Sequence, residues 1–221
     1  MIEANVQSTT KERILDAAEK LFAEHGFEAT SLRMITGAAG VNLAAVNYHF
    51  HSKDALIEAV FSRRIGPINQ ERLRLLEICE NAAGEGSPQI EELFRAFVEP
   101  PLRMRRDPAC HGADVGSIFG RLYSDPSESA RRSFFGLMRP IMGPFISAFR
   151  RALPEMPLVE LLWRLHFAVG MMAHTLAGTY HLQAMSGGLC DPSDVEGIIE
   201  RMVAFAAAGI RAPLPATLHR S

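Results

Sequence analysis

The 221-residue sequence has little of what secreted, metal-binding or membrane proteins are built from. It holds three cysteines, Cys79, Cys110 and Cys190. They are far apart, odd in number and never in C-x-x-C spacing, which argues against a disulfide framework or a thiolate zinc site and fits a reducing compartment. Long apolar runs are missing too. The most apolar stretch, residues 167–180, is interrupted by His174 and preceded by Arg164 and His166, so it is too short and too polar to span a membrane. The opening residues, MIEANVQSTTKER, lack the apolar core of a signal peptide, and the expected location is the cytoplasm. Neither charge sign dominates: the net charge is −2, so any polyanionic partner must be met by a local patch.

Signatures of catalysis are also missing. No H-E-x-x-H, Walker A or G-x-S-x-G motif occurs, and the reading is of a non-enzyme with no catalytic residue, no cofactor and no metal. His166, His174 and His181 share a face of one expected helix, but at the helical rise they stand about 10–12 Å apart and cannot meet at one ion. Cys110-His111 falls in a loop and reads as incidental.

What the sequence has is helical periodicity. At 48% hydrophobic and 22% charged it is an ordinary globular chain with ample core material. Ile14, Ala17, Ala18, Leu21 and Phe22 recur at helical spacing, Thr9 with Glu12 forms a capping box, and Gly26 follows as a stop: helix 1 is expected over about 10–25. Thr30 is expected to cap a second helix with Leu32, Ile35 and Ala39 on its apolar side. Gly40 ends it. Asn42 would cap a third, burying Leu43, Val46 and Phe50, and Ser52 a fourth, burying Leu56, Ile57, Val60 and Phe61. Gly66-Pro67 should bend that fourth helix.

Further helices are expected near 88–106, 113–123, 126–152, 157–184 and 192–211. Asp125-Pro126 and Asp191-Pro192 read as helix starts. No strand ladder or internal repeat is visible. The expected fold is all-α with nine or ten helices. A helix-turn-helix head over 1–64 (with 1–9 a flexible arm) would precede a second helical domain over 65–221.

The stretch from Ser31 to Lys53 contains no acid but holds Arg33, Lys53, His49 and His51. That is a locally non-repulsive face on a mildly acidic protein, suited to a polyanion. Ala39 lets two helices approach and Gly40 allows the tight turn. With Val41, Val46 and Phe50 turned inward, the outer face of the third helix is left to Ala44, Ala45, Asn47, Tyr48 and His49. Two alanines let a helix end approach base edges in a major groove. Asn47 carries the donor–acceptor pair that matches adenine. Tyr48, His49, Lys53 and Thr30 can reach phosphates.

These residues carry a resemblance. The Gly26–Ser31 run G-F-x-x-T-S, Ala39-Gly40-Val41, and Tyr48-His49-Phe50-x-Ser52-Lys53-x-x-Leu56 strongly resemble the DNA-binding domain of TetR-family transcriptional regulators. The resemblance implies phosphate contacts from Thr30, Tyr48, His49 and Lys53. It implies base contacts from Arg33, Leu43, Ala44, Ala45 and Asn47, with Ser31 and Asn42 beside them. The chain departs from the family where many members carry Gly-Thr-Leu-Tyr and it has Ala44-Ala45-Val46-Asn47, so no operator sequence carries over. Thr36 stands where a small alanine is usual. The longer stretches NLAAVNYHF, ALIEAVFSRRIGPIN and ELLWRLHFAVGMMAHTLAG are similar to the subgroup that includes fatty-acid-responsive repressors.

The resemblance implies a ligand-responsive repressor that binds a near-palindromic duplex DNA operator as a homodimer and is released by a small apolar effector, a fatty acid or acyl-CoA. Gly170, Ala173, Ala177 and Gly178 form a small-residue stripe. With Val195, Ile199, Met202 and Ala206 they suggest a four-helix dimer interface built from 157–184 and 192–211 of each subunit. The effector pocket is expected among Phe97, Met104, Phe119, Met138, Phe145 and Phe167. Arg121 is preferred as a head-group partner over Arg103, Arg105, Arg106 and Arg139. Control by a protein partner instead of a small molecule is the alternative: a large closed pocket would argue against it, and a shallow, filled core with an exposed apolar patch would favour it.

Overall fold

The computed structural model describes residues 9–104, 126–178 and 180–214. Among them lie nine helices and no strand: α1 (Thr10–His25), α2 (Leu32–Ala39), α3 (Leu43–Phe50), α4 (Lys53–Ala83), α5 (Ile90–Met104), α6 (Glu128–Ala152), α7 (Leu158–Ala177), α8 (Tyr180–Met185) and α9 (Val195–Arg211). The helix expected over 113–123, and with it Phe119 and Arg121, lies outside the described residues.

Local chemistry explains most helix ends. Thr9 accepts from the Glu12 amide at 3.2 Å while the Glu12 carboxylate accepts from the Thr9 amide at 2.7 Å, so two orphan donors of α1 are satisfied reciprocally. Gly40 holds φ 63°, ψ 41°, the left-handed geometry that lets α2 turn directly into α3. Asn42 caps α3 by accepting from the Ala45 amide, and Ser52 caps α4 by accepting from that of Ala55.

Several expected boundaries shift. Ser31, not Thr30, caps α2, accepting from the Met34 amide at 3.2 Å. Thr30 is fully buried, and its hydroxyl donates to the carbonyls of Gly26 (2.7 Å) and Leu21 (3.1 Å). Ser127 rather than Asp125 caps α6, and Asp194 rather than Asp191 caps α9. The helix expected over 157–184 is broken: α7 stops at Gly178, whose φ of 147° suits glycine alone, and the short α8 follows. Leu43, expected inside, is 45% exposed, while Val46 and Phe50 are buried. Pro67 sits inside α4 without ending it.

Helix α4 joins the two ends of the molecule. It packs against α1 and α3 near its start and against α5 and α6 farther along, while α9 packs on α5 and α7. One buried apolar cluster runs from Ile14 to Ile210. A row of rings follows it: Phe22 to Phe27 at 5.2 Å, Phe27 to Phe61 at 5.3 Å, and Phe61 to Phe134 at 6.1 Å between centroids. Ion pairs reinforce the junction of α1 and α4. The buried Glu19 carboxylate accepts from Arg64 Nε at 2.7 Å and from Arg63, which also donates to Asp16 at 2.6 Å.

Candidate nucleic-acid interface and a buried cavity

Helices α2 and α3 present one outward face. Arg33, Asn42, Leu43, Ala44, Asn47 and Tyr48 are exposed, Tyr48 at 79%, and Ala45 and His49 are half-buried. On the inner side Ile35, Ala39, Val46 and Phe50 join the core, which fixes the orientation of α3. The Tyr48 ring meets the His49 ring edge-on at 5.1 Å. Lys53 opens α4 and donates to the Glu28 carbonyl at 3.1 Å, tying the start of α4 to the loop after α1. An ammonium has three donors, so this tie leaves two for another acceptor. Thr30 does not belong to this face: its side chain is in the core, already bonded.

The second feature is a cavity of about 570 Å³ between α4, α5, α6 and α7. Its wall is apolar, with Ile65, Ile68, Phe134, Met142, Leu165, Val169 and Leu176, and among the described residues only Arg72 and His166 bring polar side chains to it. Arg72 is 3% exposed. Its Nε donates to the Phe97 carbonyl at 2.8 Å and its Nη1 to Asn69 Oδ1 at 3.2 Å. Its guanidinium carbon lies 4.2 Å from the centre of the Phe97 ring. Asn69 is held in turn by donating to the Leu137 carbonyl at 2.9 Å. Burial pulls Arg72 down to about 9, still high enough to keep it charged at neutral pH.

Of the expected pocket residues, Met138 lines this cavity. Phe97 and Phe145 are buried behind it, their rings meeting edge-on at 5.2 Å. Met104 lies on a separate groove with Pro67 and Arg103. Phe167 is 64% exposed and faces a different depression beside Phe205. Arg103 is engaged by Glu99 and Glu196, and Arg139 is exposed. Gly170 and Ala173, expected in a dimer stripe, line the cavity.

The polar group that the sequence pattern did not single out is Arg72, although a signal was present. Ile65, Ile68, Asn69, Arg72 and Leu76 fall at helical spacing, so Asn69 and Arg72 interrupt an otherwise apolar stripe. Val159 and Trp163 are equally unmarked in the sequence pattern: with Phe167 they form an outward stripe on α7, 69%, 55% and 64% exposed, beside Phe205 of α9 at 72%.

Residues 14–60 match the model of bacterial regulatory proteins of the tetR family, and residues 95–209 match the tetracyclin repressor-like C-terminal domain. The chain belongs to the TetR family. Its members are transcription regulators that bind DNA as dimers.

Among curated relatives, the probable HTH-type transcriptional regulator YttP of Bacillus subtilis is 41% identical over 54 residues, 24% of this chain and 26% of YttP. The chain thus spans about a quarter of the length of the first curated relatives that it matches. The fatty acid degradation regulator FadR of Bacillus halodurans shares the fold at 14% identity and a TM-score of 0.65, over 94% of this chain and 99% of that one. FadR of Bacillus subtilis, solved with stearoyl-CoA, aligns at 13% identity and 0.60, over 89% and 97%. Among the described residues no helix of this TetR-family chain is long and apolar enough to cross a membrane.

Proposed function

We propose that the protein is a homodimeric, ligand-responsive repressor that binds a near-palindromic operator in duplex DNA and is released by a small apolar effector of the fatty acid or acyl-CoA kind. The carrying observation is the acid-free outward face of α3, where Leu43, Ala44, Asn47 and Tyr48 are exposed on a helix locked from behind by Val46 and Phe50. A helix so presented fits a major groove, with Arg33, Ala45 and Asn47 toward base edges and Ser31, Asn42, Tyr48, His49 and Lys53 toward phosphates. On this reading residues 1–64 form the head, residues 65–221 form the effector and dimer domain, and the protein works in the cytoplasm.

The apolar stripe of Val159, Trp163 and Phe167 beside Phe205 supports pairing through α7 and α9, because exposed aromatic clusters of this kind mark interfaces. A two-fold protein then reads two-fold DNA. The cavity between α4 and α7 favours a small-molecule effector over a protein partner. The effector must prefer the state whose heads are wrongly spaced, or it shifts nothing.

Selection of random duplex DNA by the purified protein at a fixed moderate salt tests the reading. The expected product is an inverted repeat with a defined spacer. An absence of any enriched sequence, both with and without cell extract, would overturn it.

A further inference from the structure

We propose that the cavity takes a free monocarboxylate with an apolar body, and that it enters head first, so that the carboxylate pairs with the Arg72 guanidinium at the cavity floor and the tail fills the space toward the mouth. This rests on the effector reading above and narrows it to one class of molecule and one orientation.

Three observations place the head. First, Arg72 belongs to the buried side of the wall: it is 3% exposed, and Ile65, Ile68 and Leu176 are buried like it, whereas Phe135 and Leu162 are 61% and 43% exposed and His166 is exposed as well. Second, the buried charge has no acid beside it among the described residues, and loss of water lowers its proton affinity. A buried unpaired charge is costly, and a ligand carboxylate removes that cost.

Third, the guanidinium already offers the right edge. Its Nε and one Nη1 donor are used by Phe97 and Asn69, which fixes the plane. Its outward contacts run from Nη1 to Met138 Sδ at 3.8 Å and from Nη2 to Met172 Sδ at 3.5 Å. Thioethers are weak acceptors on flexible side chains. The two oxygens of a carboxylate would replace the two sulfurs and form a bidentate pair.

Size and chemistry limit the rest of the molecule. At about 30 Å³ for each water-sized group, the space of about 570 Å³ holds on the order of 15 to 20 non-hydrogen atoms. That suits a medium or long straight-chain acid. A coenzyme A thioester has no free carboxylate at its acyl end, and its bulky anionic portion cannot reach a floor enclosed by α4, α5 and α6. The corresponding alcohol keeps the tail and loses the charge.

Calorimetric and thermal-shift titrations of the full-length protein test this, with decanoate, 1-decanol and decanoyl-CoA as probes and with Arg72→Met and Arg72→Lys as variants. Wild type should bind decanoate at least about tenfold more tightly than 1-decanol, the worth of a charge-assisted pair. Arg72→Met should lose that preference while keeping its affinity for 1-decanol within about twofold, and Arg72→Lys should retain part of it. Melting of each ligand-free variant is read first, because Arg72→Met also removes the bonds to the Phe97 carbonyl and Asn69, and affinities are compared at a temperature where both variants are folded.

The proposal is overturned if 1-decanol or decanoyl-CoA binds wild type as tightly as decanoate does. It also falls if Arg72→Met binds decanoate undiminished, or if no acid from hexanoate to palmitate binds. None of these readouts involves DNA. Their failure therefore leaves the repressor reading standing, and a protein that binds decanoate through Arg72 but selects no operator would lose that reading and keep this site.

Discussion

The rings of Phe61 and Phe134 stand 6.1 Å apart at 64°, and this contact is where the core of the DNA-binding head meets the wall of the cavity. Phe61, on α4, also touches Phe27 beneath the head, while Phe134, on α6, lines the cavity and touches Phe135 at its rim. A ligand that moves α6 must therefore move Phe134 against a residue that the head itself packs on. Close packing makes such a contact able to transmit a displacement.

Phe134→Leu is expected to weaken this transmission. The variant keeps most of the apolar volume, so operator affinity without effector should stay within about twofold of wild type. The effector-induced loss of operator affinity should shrink, by an amount of about 0.5–2 kcal/mol of coupling. Operator titrations with and without saturating effector measure both quantities. An unchanged release would assign the coupling to another route, with α4 and its Pro67 next in line.

Glu19 supports the same junction from the other side. Its side chain is 3% exposed and it faces Arg63 and Arg64, which are 25% and 15% exposed. Glu19→Gln would leave two partly buried cations short of their counter-charge. Breaking a buried pair costs about 3–5 kcal/mol, and because both arginines reach some water the expected loss is near about 3 kcal/mol. Denaturant unfolding at fixed protomer concentration reads it. A loss below about 1 kcal/mol would show that solvent already screens the group.

How much of this was legible in the sequence depends on whether a feature is local. The Thr9–Glu12 box, the turn at Gly40 and the caps by Asn42 and Ser52 rest on neighbours three or four residues away, and each stands where the pattern puts it. Where two capable residues are adjacent, tertiary contacts choose between them. Thr30 and Ser31 can both cap, but the Thr30 hydroxyl is claimed by the Gly26 and Leu21 carbonyls, and Ser31 takes the task. The same competition moves the α9 cap from Asp191 to Asp194, since Asp191 accepts from Ser193 in a local turn.

The cavity was the least legible part. Its members come from α4, α5, α6 and α7, and apolar periodicity cannot separate a ring that lines a void from one that fills a core. Phe97 and Phe145 look the same in sequence as Phe134, yet they pack behind the wall. Phe167 likewise follows the helical spacing of a core residue and points outward beside Trp163 and Phe205, where a second copy can cover it.

Acid should loosen the contact between α5 and α9. Arg211 of α9 bonds both oxygens of Glu91 of α5, at 2.7 Å for Nη2 to Oε2, and this holds the Glu91 carboxyl down at about 2. A depressed carboxyl gives stability that is present above its ordinary value near about 4.3 and is lost as pH falls toward the folded value. Both side chains are more than 40% exposed, so screening limits the contribution to under about 1 kcal/mol. Glu91→Gln should be slightly less stable than wild type at neutral pH, with the difference closing between about pH 4.5 and pH 2. A difference that stays constant across that window would mean the pair contributes through packing and not through charge.

The last expectation separates base reading from phosphate binding on the outward face. Asn47 is exposed on α3 and carries the donor–acceptor pair that matches an adenine edge, whereas Lys53 is tied to the Glu28 carbonyl at the start of α4 and offers only charge. Asn47→Ala should therefore relax preference at one position in each half-site, by about 1–3 kcal/mol against the wrong base, and leave the salt dependence of binding unchanged. Lys53→Ala should weaken every sequence alike and make the slope of log affinity against log salt shallower by about 0.9 for each phosphate no longer neutralised, or about 1.8 for a dimer. Competition titrations of operator variants at several salt concentrations read both effects in one experiment. A uniform loss for Asn47→Ala would move that residue to the DNA backbone, and base readout would then fall to Arg33 and the small surface of Ala44 and Ala45.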